Sequence, residues 1–498
     1  ALAMLFLKEI QVDCHFLVPN RFEYGYGLTP EIVELASTQN PHLIITVDNG
    51  ISSIEGVERA KQLGIKVLIT DHHLPGDTLP CADAIVNPNQ PGCDFLSKNA
   101  AGVGVIFYVL SGLRAKLREM EFFQRQGFSD INMANFLDLL ALGTVADLVP
   151  LDLNNRILVE QGLKRIRAGR CRPGIKALLE HAGKRLDQVN ASDMGFIVGP
   201  RLNAAGRLDD MSLGINCLLS TSIEEASQLA RQLDQLNQER KSIEQEMKDD
   251  AEAQLSSFLS DFEENKKSDD QTWGLCLYQP HWHQGVIGIL ASRIKEKLNR
   301  PTIIFAPADD NPEDENPLLK GSARSIPGLH MRDALDLLAK RYPELLTKFG
   351  GHAMAAGMSI EFKNLEKFSD AYNGIVKELL TESDLETILL TDGELKPEER
   401  TIEYIELLGR SGPWGQAFPE PCFDGVFNVL QHKTLKEKHL KLVLTDEIGG
   451  QFIDAIEFNS EWCNRPIPNK VRLVYRPNIN EFRGKKSVQF FIDYLCIA

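Results

Sequence analysis

The chain has 498 residues, 43% of them hydrophobic and 25% charged, and a formal net charge of −16. This composition is ordinary for globular domains, and the length is enough for about three of them. The negative charge excludes a surface that is basic everywhere, and no apolar run reaches the roughly eighteen residues that cross a bilayer. Residues 401–498 hold 12 Lys and Arg against 12 Asp and Glu. We therefore expect a polyanion to bind only along a defined path.

The cysteines and the first residues bear on the cellular compartment. Nine cysteines are scattered along the chain without a Cys-x-x-Cys pair. Such an odd, dispersed set predicts reduced thiols in a cytoplasmic protein and not a disulfide framework or a zinc site. Residues 1–7 are apolar but lack a basic start and a small-residue cleavage site. They predict an amphipathic helix instead of a signal peptide.

Two short β-branched runs each end in polar residues. Leu43–Val47 is followed by Asp48, and Val67–Thr70 is followed by Asp71–His73. Helical spacing over Glu55–Leu63 separates the runs and ends at a glycine, so the pattern predicts strand, helix and parallel strand. The right-handed crossover brings the carboxyl ends of both strands side by side. The polar residues at these ends should therefore converge.

The same alternation extends around these strands. Strand-like segments at 16–19 and 84–86 and a helix around 30–38 complete the pattern of a doubly wound parallel sheet. From residue 102 to about 219 the pattern is mostly helical. We expect interruptions at 143–150 and 199–207, where polar residues stand among apolar ones.

The residues at the strand ends have the chemistry of metal ligands. Carboxylates mixed with imidazoles favour manganese or magnesium over a structural zinc, which prefers thiolates. Asp147 is a further candidate, because an aspartate in the apolar stretch Ala141–Pro150 is costly to bury without a partner. The alternative for each of these aspartates is a capping role.

Three stretches combine small residues with groups that suit phosphate. Arg201 to Arg207 places two arginines and the amide of Asn203 around small residues, and arginine makes bidentate phosphate contacts. Gly321–Ser325 and Gly350–Gly357 predict loops with backbone N–H groups open to an anion. Each stretch, taken alone, could equally be a turn needed only for packing.

The second half of the chain predicts a connecting helix and two further domains. Residues 222–258 form a long polar helical pattern, although a helix of one compact domain remains an alternative, and 261–270 predicts a charged linker. A second α/β unit follows, with strands near 274–278, 302–306 and 321–325. After residue 400, five short β-like runs predict a small oligonucleotide-binding (OB) barrel.

Taken together, the motifs carry a resemblance that none carries alone. Val47-Asp48-Asn49-Gly50, Asp71-His72-His73, Gly143 to Asp147 and Gly350 to Gly357 occur in the order and spacing of the DHH phosphoesterase superfamily with a DHHA1-type second domain. Further stretches make the chain similar to the RecJ branch of that superfamily. These are Arg201 to Arg207, Trp282 to Ile289 and Gly412 to Gly415.

The resemblance implies a domain order and an activity. We expect a DHH domain at 1–221, a connecting helix and linker at 222–270, a DHHA1 domain at 271–385 and an OB-like domain at 386–498. The activity implied is a single-strand-specific DNA exonuclease of recombination and repair that works from 5′ to 3′. Two ions of Mn²⁺ or Mg²⁺ would act in catalysis. The polarity rests on the resemblance alone.

The resemblance also assigns roles. Asp48 would bridge two metals, with His72 and Asp147 as ligands, and Asp71 and His73 would orient or contact the scissile phosphate. Residues in both α/β domains would bind substrate phosphate in a cleft that admits one strand: Arg201, Asn203, Arg207, Ser322, Arg324, Gly351 and His352. On the barrel, basic residues of two hairpins, the later of which also carries Tyr475 and Phe482, would follow the strand, unless they form only a solvated loop. They are Lys433, Lys436, Lys438, Lys441, Arg476, Arg483, Lys485 and Lys486.

One family motif, an Asp-x-Asp pair before the opening helix, has no counterpart in the sequence. We therefore expect an incomplete set of metal ligands and weak or no activity from this chain. Two alternatives are a DHH/DHHA1 phosphodiesterase of short oligonucleotides or cyclic dinucleotides, and a non-catalytic DNA-binding scaffold. The expected partners are single-stranded DNA, a helicase and a single-strand-binding protein, around a monomer without membrane attachment.

Overall fold

A computed structural model describes residues 1–18, 27–208, 211–265, 272–282, 284–308, 316–446, 450–482 and 484–498. Side chains are described for all of these except residues 207, 208, 247–265, 464 and 482. The chain divides into two compact units. The first comprises Ala1–Leu236 with Leu390–Ala498, and the second comprises Asn237–Leu389.

The sheet of the first unit has three parallel strands in the order β1-β2-β3. Strand β1 is Leu43–Val47, β2 is Lys66–Thr70 and β3 is Ala84–Val86, and helix α3 (Ile54–Gln62) connects the first two. This confirms the predicted strand, helix and parallel strand. The segment at 16–18 has no regular structure, so a strand there was wrongly predicted as far as it is described, and residue 19 lies outside the described ranges.

Helices make up most of the other regular structure in the described residues before 220. In chain order they are α1 (Leu2–Glu9), α2 (Pro30–Ser37), α4 (Gly102–Glu119), α5 (Phe122–Gln126), α6 (Leu137–Ala146), α7 (Leu153–Arg167), α8 (Pro173–His181), α9 (Gly199–Leu208) and α10 (Ser212–Leu219). The expected amphipathic helix at the start is α1, which buries Leu2, Met4 and Phe6.

Of the two predicted interruptions of this helical region, the one at 143–150 is confirmed only from Asp147 onward, and the one at 199–207 is wrong. Helix α6 continues through Gly143 to Ala146, and a π-helix at Met194–Val198 leads directly into α9. The small residues serve helix packing and do not break the helices. A Cβ on Gly143 would lie 2.7 Å from the Val103 side chain, and Ala204 and Ala205 are fully buried.

A helix of 43 residues, α11 (Ile223–Asn265), spans the boundary between the two units. It confirms the long helix expected at 222–258. It also extends through 261–265, where a linker was expected, and residues 266–270 of that linker lie outside the described ranges.

The second unit contains a five-stranded sheet in the order β4-β5-β6-β8-β7. Its elements are β4 (Leu275–Tyr278), α12 (Ile287–Leu298), β5 (Thr302–Pro307), β6 (Leu318–Arg324), α13 (Met331–Arg341), β7 (Lys348–Gly351), β8 (Ala355–Glu361) and α14 (Leu365–Leu379). The three predicted strands are confirmed. However, Gly321–Arg324 lies within β6, and Gly350–Gly357 forms the β7–β8 hairpin, so neither is the open loop that was expected.

Residues 423–497 form a closed five-stranded barrel in the order β10-β11-β13-β12-β9. It follows helix α15 (Ile402–Arg410) and consists of β9 (Phe423–Leu435), β10 (His439–Thr445), β11 (Ile453–Glu457), β12 (Lys470–Phe482) and β13 (Lys485–Ile497). The predicted barrel is confirmed. Aromatic side chains fill its interior, with Phe427, Tyr475 and Phe490 fully buried.

The structure also bears on the state of the cysteines and on membrane-spanning helices. All nine cysteines lie in the described ranges, and each is a free thiol. Among the described residues, no helix is both long enough and apolar enough to span a membrane.

Candidate active site

The polar residues after β1 and β2 are held at the edge of the sheet by its own hydrogen bonds. The Asp48 N–H donates to the Thr70 carbonyl over 2.9 Å, and the Asp71 N–H donates to the Val86 carbonyl over 3.1 Å. Asp48 adopts a left-handed backbone conformation with φ of 65°. A non-glycine residue in this region carries strain, which is often found at functional sites.

The side chains then converge as the sequence predicts. His72 Nε2 lies 3.0 Å from Asp48 Oδ1 and 3.3 Å from Asp147 Oδ2. Asp147 reaches the sheet edge from the carboxyl end of α6, which it caps. His72 Nε2 is buried and has no hydrogen bond of good geometry. Two carboxylate oxygens and an imidazole nitrogen thus face one point, the arrangement expected of ligands around a cation.

His73 belongs to the same cluster. Ligand atoms of Asp48, His72 and His73 all lie within 4.8 Å of one another, and the described part of the chain contains one group of this kind. The two imidazole rings are 4.6 Å apart between centroids. The geometry therefore makes His73 a candidate metal ligand as well as a candidate for phosphate contact.

Asp71 lies beneath this cluster and is 1% exposed. Its Oδ1 accepts hydrogen bonds from the backbone N–H groups of His72 and His73, at 2.7 and 3.2 Å, and lies 2.7 Å from His73 Nδ1. Its Oδ2 accepts a hydrogen bond from the Ile51 N–H at 3.0 Å. These contacts favour the orienting role that was predicted for Asp71 over direct contact with a phosphate. A carboxylate that holds a ligand histidine fixes the ring and its tautomer.

The carboxylates of the cluster disfavour one another's charge and favour positive charge on the neighbouring histidines, so the pKa values of His72 and His73 are both raised. Burial raises the pKa of Asp147, and the nearby charge of Asp48 raises it further. Burial opposes the charged form of His72, but the close contact with the Asp48 carboxylate and the charges of Asp147 and Asp48 outweigh it, so the pKa of His72 lies above its usual value. A bound cation would relieve the repulsion between the carboxylates.

Sequence reasoning missed the contribution of Gly102, the first residue of α4. A Cβ at this position would lie 2.5 Å from both Cβ and Oδ1 of Asp48. Only glycine lets the helix start so close to the carboxylate, and a helix amino terminus favours a neighbouring negative charge. The available signal was the small pair Ala101-Gly102 at the start of a helical pattern.

The three predicted phosphate ligands on α9 differ in exposure and in the contacts described for their side chains. Arg201 donates to Asp234 Oδ1 from Nε over 2.8 Å and to the Ile197 carbonyl from Nη1 over 2.9 Å. This pairing disfavours a phosphate role for Arg201. Asn203 is exposed, whereas the side chain of Arg207 lies outside the described residues.

The candidates of the second unit lie close together on its sheet. The Arg324 guanidinium donates to Ser322 Oγ over 3.2 Å and to Ser292 Oγ over 3.1 Å. The β7–β8 hairpin that contains Gly351 and His352 pairs next to this strand, since Arg324 lies opposite Ala355. Gly351 itself lies on β7, one strand further along this sheet, and a shared phosphate role for the four residues stays a prediction.

The basic residues of the barrel differ in their position on the strands and in their pairing with carboxylates. Lys433 and Lys441 are cross-strand neighbours on β9 and β10, and Arg476 lies on β12. Carboxylates already neutralise part of this set: Lys441 pairs with Asp454, Arg476 with Asp493 and Glu420, and Lys486 with Glu406. Lys436 and Lys438 lie in or beside the β9–β10 turn, Lys485 is exposed, and Arg483 lies outside the described residues.

The aromatic partners expected for these basic residues need correction. Tyr475 is fully buried and stacks on Phe490 inside the barrel, so it is not available to a nucleobase. The side chain of Phe482 lies outside the described residues. Sequence reasoning missed instead an outer cluster, in which the Phe458 ring contacts those of His439 and Phe491 at centroid distances of 5.3 and 5.7 Å. Phe458 is 53% exposed.

Comparison with known proteins agrees with this geometry. Residues 1–144 match the DHH family, N-terminal domain, residues 272–378 match the DHHA1 domain, and residues 391–494 match the RecJ OB domain. The chain is 52% identical over 497 residues to the single-stranded-DNA-specific exonuclease RecJ of Escherichia coli K12, covering 99% of this chain and 84% of that protein. The chain belongs to the RecJ family.

Other members of the RecJ family support the assignment. The single-stranded-DNA-specific exonuclease RecJ of Haemophilus influenzae is 49% identical over 502 residues, covering 99% of this chain and 84% of that protein. The crystal structure of RecJ in complex with Mn²⁺ from Thermus thermophilus is similar with a TM-score of 0.77 and 26% identity. It covers 100% of this chain and 66% of the Thermus chain.

Proposed function

We propose that this protein is a metal-dependent exonuclease that hydrolyses single-stranded DNA from 5′ to 3′ in recombination and repair. The observation that carries the proposal is the convergence of Asp48, His72, His73 and Asp147 at the strand ends. RecJ relatives named as single-stranded-DNA-specific exonucleases support the substrate class.

The donor set fits the proposed cofactor, which is Mn²⁺ or Mg²⁺. Carboxylate oxygens together with imidazole suit these ions. The buried Nε2 of His72, which has no hydrogen bond of good geometry, faces the carboxylates of Asp48 and Asp147 and could complete such a ligand set. The Thermus relative was crystallised with Mn²⁺. We propose two ions, with Asp48 between them. When bound, they would stabilise charge that develops on the phosphodiester during hydrolysis.

The protein's own residues would then orient the substrate. Asp71 holds His73, whose imidazole would contact either the cation or the scissile phosphate. We propose that substrate phosphates are bound by Asn203 and Arg207 in the first domain, and by Ser322, Arg324, Gly351 and His352 in the second. Arg201 is a weaker candidate for phosphate binding than Asn203 and Arg207, because its guanidinium is already paired with Asp234.

On the barrel, we propose that the strand follows Lys433, Lys441 and Arg476. These three residues belong to one row of directly opposed residues that crosses the barrel strands. In that row, Ile456 and Phe491 lie between Lys441 and Arg476. The aromatic cluster of His439, Phe458 and Phe491 would take the stacking role first assigned to Tyr475, since bases stack on exposed aromatic rings without sequence preference.

The same proposal includes the domain boundaries given above, a monomeric state and a cytoplasmic location. It also includes contacts with a helicase or a single-strand-binding protein. Size-exclusion chromatography with light scattering would measure the oligomeric state in solution, and cell fractionation would measure the location. Limited proteolysis would locate the boundaries between domains.

The proposal is tested with DNA strands labelled at either end. With Mn²⁺, we expect slow shortening of a single strand from its 5′ end, as the incomplete ligand set predicts. We also expect little cleavage of a blunt duplex, and loss of cleavage in a His72→Ala variant. Release of label only from short oligonucleotides or cyclic dinucleotides would point to the alternative phosphodiesterase. Strand binding without any hydrolysis at saturating Mn²⁺ would contradict the proposed activity.

A further inference from the structure

The candidate metal centre is assembled from two separate parts of the fold. Asp48, His72 and His73 come from the sheet edge, whereas Asp147 comes from the end of α6. The separations of 3.0 and 3.3 Å around His72 Nε2 are met only if these parts keep a fixed spacing. Neither strand pairing nor the helix by itself sets that spacing.

Two asparagines after β3 hold the backbone of the ligand histidines. Asn87 Nδ2 donates to the His73 carbonyl over 2.9 Å, and Asn89 Nδ2 donates to the His72 carbonyl over 2.6 Å. The Asn89 N–H in turn donates to Asn87 Oδ1 over 2.7 Å. Asn87 is 1% exposed, whereas Asn89 is partly buried. The histidine loop is thereby fixed to residues 87–89.

The same segment continues toward the α6 side of the centre. Asn89 Nδ2 also donates to the Lys98 carbonyl at 3.2 Å, and Ser97 Oγ donates to Asp152 Oδ2 at 2.7 Å. Asn155 Nδ2 donates to the carbonyls of Asn99 and Pro150, at 2.8 and 2.9 Å. Pro150 follows Asp147 by three residues.

Asn89 holds the carbonyls of His72 and Lys98, and Asn155 holds those of Asn99 and Pro150. Because Lys98 and Asn99 are adjacent in the chain, these hydrogen bonds connect the backbone of His72 to the segment that follows Asp147. Leu148, within that segment, has a left-handed backbone with φ of 57° although it is 68% exposed. A conformation of this kind persists where surrounding contacts determine it. The hydrogen bond from Asn155 to the Pro150 carbonyl lies two residues after Leu148.

We propose that residues 87–99 form a bracket that sets the distance between His72 and Asp147, with Asn89 and Asn155 as positioning residues of the metal centre. The inference rests on the proposed function, because it concerns the same metal site. The two side chains contact no cation themselves, and they act through the carbonyls that they hold. Groups in this outer position commonly change metal affinity by about 10-fold to 100-fold when removed.

The test measures metal binding apart from catalysis. Mn²⁺ dissociation constants of the wild type, Asn89→Ala, Asn155→Ala and the double variant would be determined by calorimetry or by paramagnetic resonance. We expect about 10-fold weaker binding for each single variant, and less than the product of the two effects in the double variant, because both lie on one path. Gln90→Ala is the matched control, since Gln90 lies in the same segment but donates to the Ile85 carbonyl of β3. Its Mn²⁺ affinity should equal that of the wild type.

Thermal unfolding without metal separates positioning from a merely structural role. Asn155 is 2% exposed and its removal can destabilise the fold, whereas Asn89 is only partly buried and provides the cleaner comparison. Unchanged Mn²⁺ affinity in folded Asn89→Ala would overturn the bracket. If the wild type binds Mn²⁺ but does not cleave single-stranded DNA, and Asn89→Ala binds Mn²⁺ more weakly, the proposed function fails while the bracket stands.

Discussion

Replacement of Gly102 by alanine should weaken metal binding without unfolding the protein. The new Cβ would lie 2.5 Å from Asp48 Cβ and Oδ1. A normal carbon–oxygen contact needs about 3.4 Å, so the Asp48 side chain or the start of α4 must move by roughly 0.9 Å. A shift of that size disrupts the approach of Asp48 to His72 at 3.0 Å. By analogy with other outer-shell changes we expect an Mn²⁺ dissociation constant about 10-fold to 100-fold higher.

The measurement is calorimetric titration with Mn²⁺, paired with thermal unfolding in chelator. Gly104→Ala is the control, because its Cβ would meet nothing closer than Ala100 Cβ at 3.6 Å. Alanine in place of a helical glycine stabilises by about 0.5–1 kcal/mol, so the control should unfold at a slightly higher temperature. Wild-type Mn²⁺ affinity in Gly102→Ala would show that Asp48 is not held where the metal binds, and would refute the reasoning.

Three further predictions concern protonation, the barrel and α9. The pKa of His72 is raised, and only the neutral imidazole binds metal, so Mn²⁺ affinity measured by calorimetry should increase from about pH 6 to about pH 8. A flat profile would exclude His72 as a ligand. Tyr475→Phe should leave single-strand affinity unchanged in fluorescence anisotropy, whereas Phe458→Ala should lower it by about 1–3 kcal/mol; the reverse order would restore the stacking role to Tyr475. Arg201→Ala should cost about 1.5–3 kcal/mol of unfolding free energy through the lost contacts to Asp234, with little effect on binding of a 5′-phosphorylated strand. Weaker strand binding at unchanged stability would instead support Arg201 as a phosphate ligand.

Local sequence patterns predicted strands β1 to β6, the barrel and the centre of the site, although they also placed a strand at 16–19 and missed β7 and β8. The β-branched runs before Asp48 and Asp71 predict parallel strands, and parallel strands must place their carboxyl ends at one edge of the sheet. The convergence of Asp48 with His72 follows from that geometry without knowledge of any distant contact. The five barrel strands follow in the same way from short β-like runs separated by turns.

Only the tertiary structure decided which polar groups are already engaged and which small residues are needed for packing. Arg201 suits phosphate by its chemistry, yet it pairs with Asp234, which is 33 residues away in the chain. Gly143 suggests a break in a helix, but it makes room for Val103 and the helix continues. The spacing between His72 and Asp147 likewise depends on hydrogen bonds from Asn89 and Asn155, which join segments that are remote in sequence. Contacts of this kind leave no periodic signal, because the partner of each residue is fixed by the packing of the whole domain.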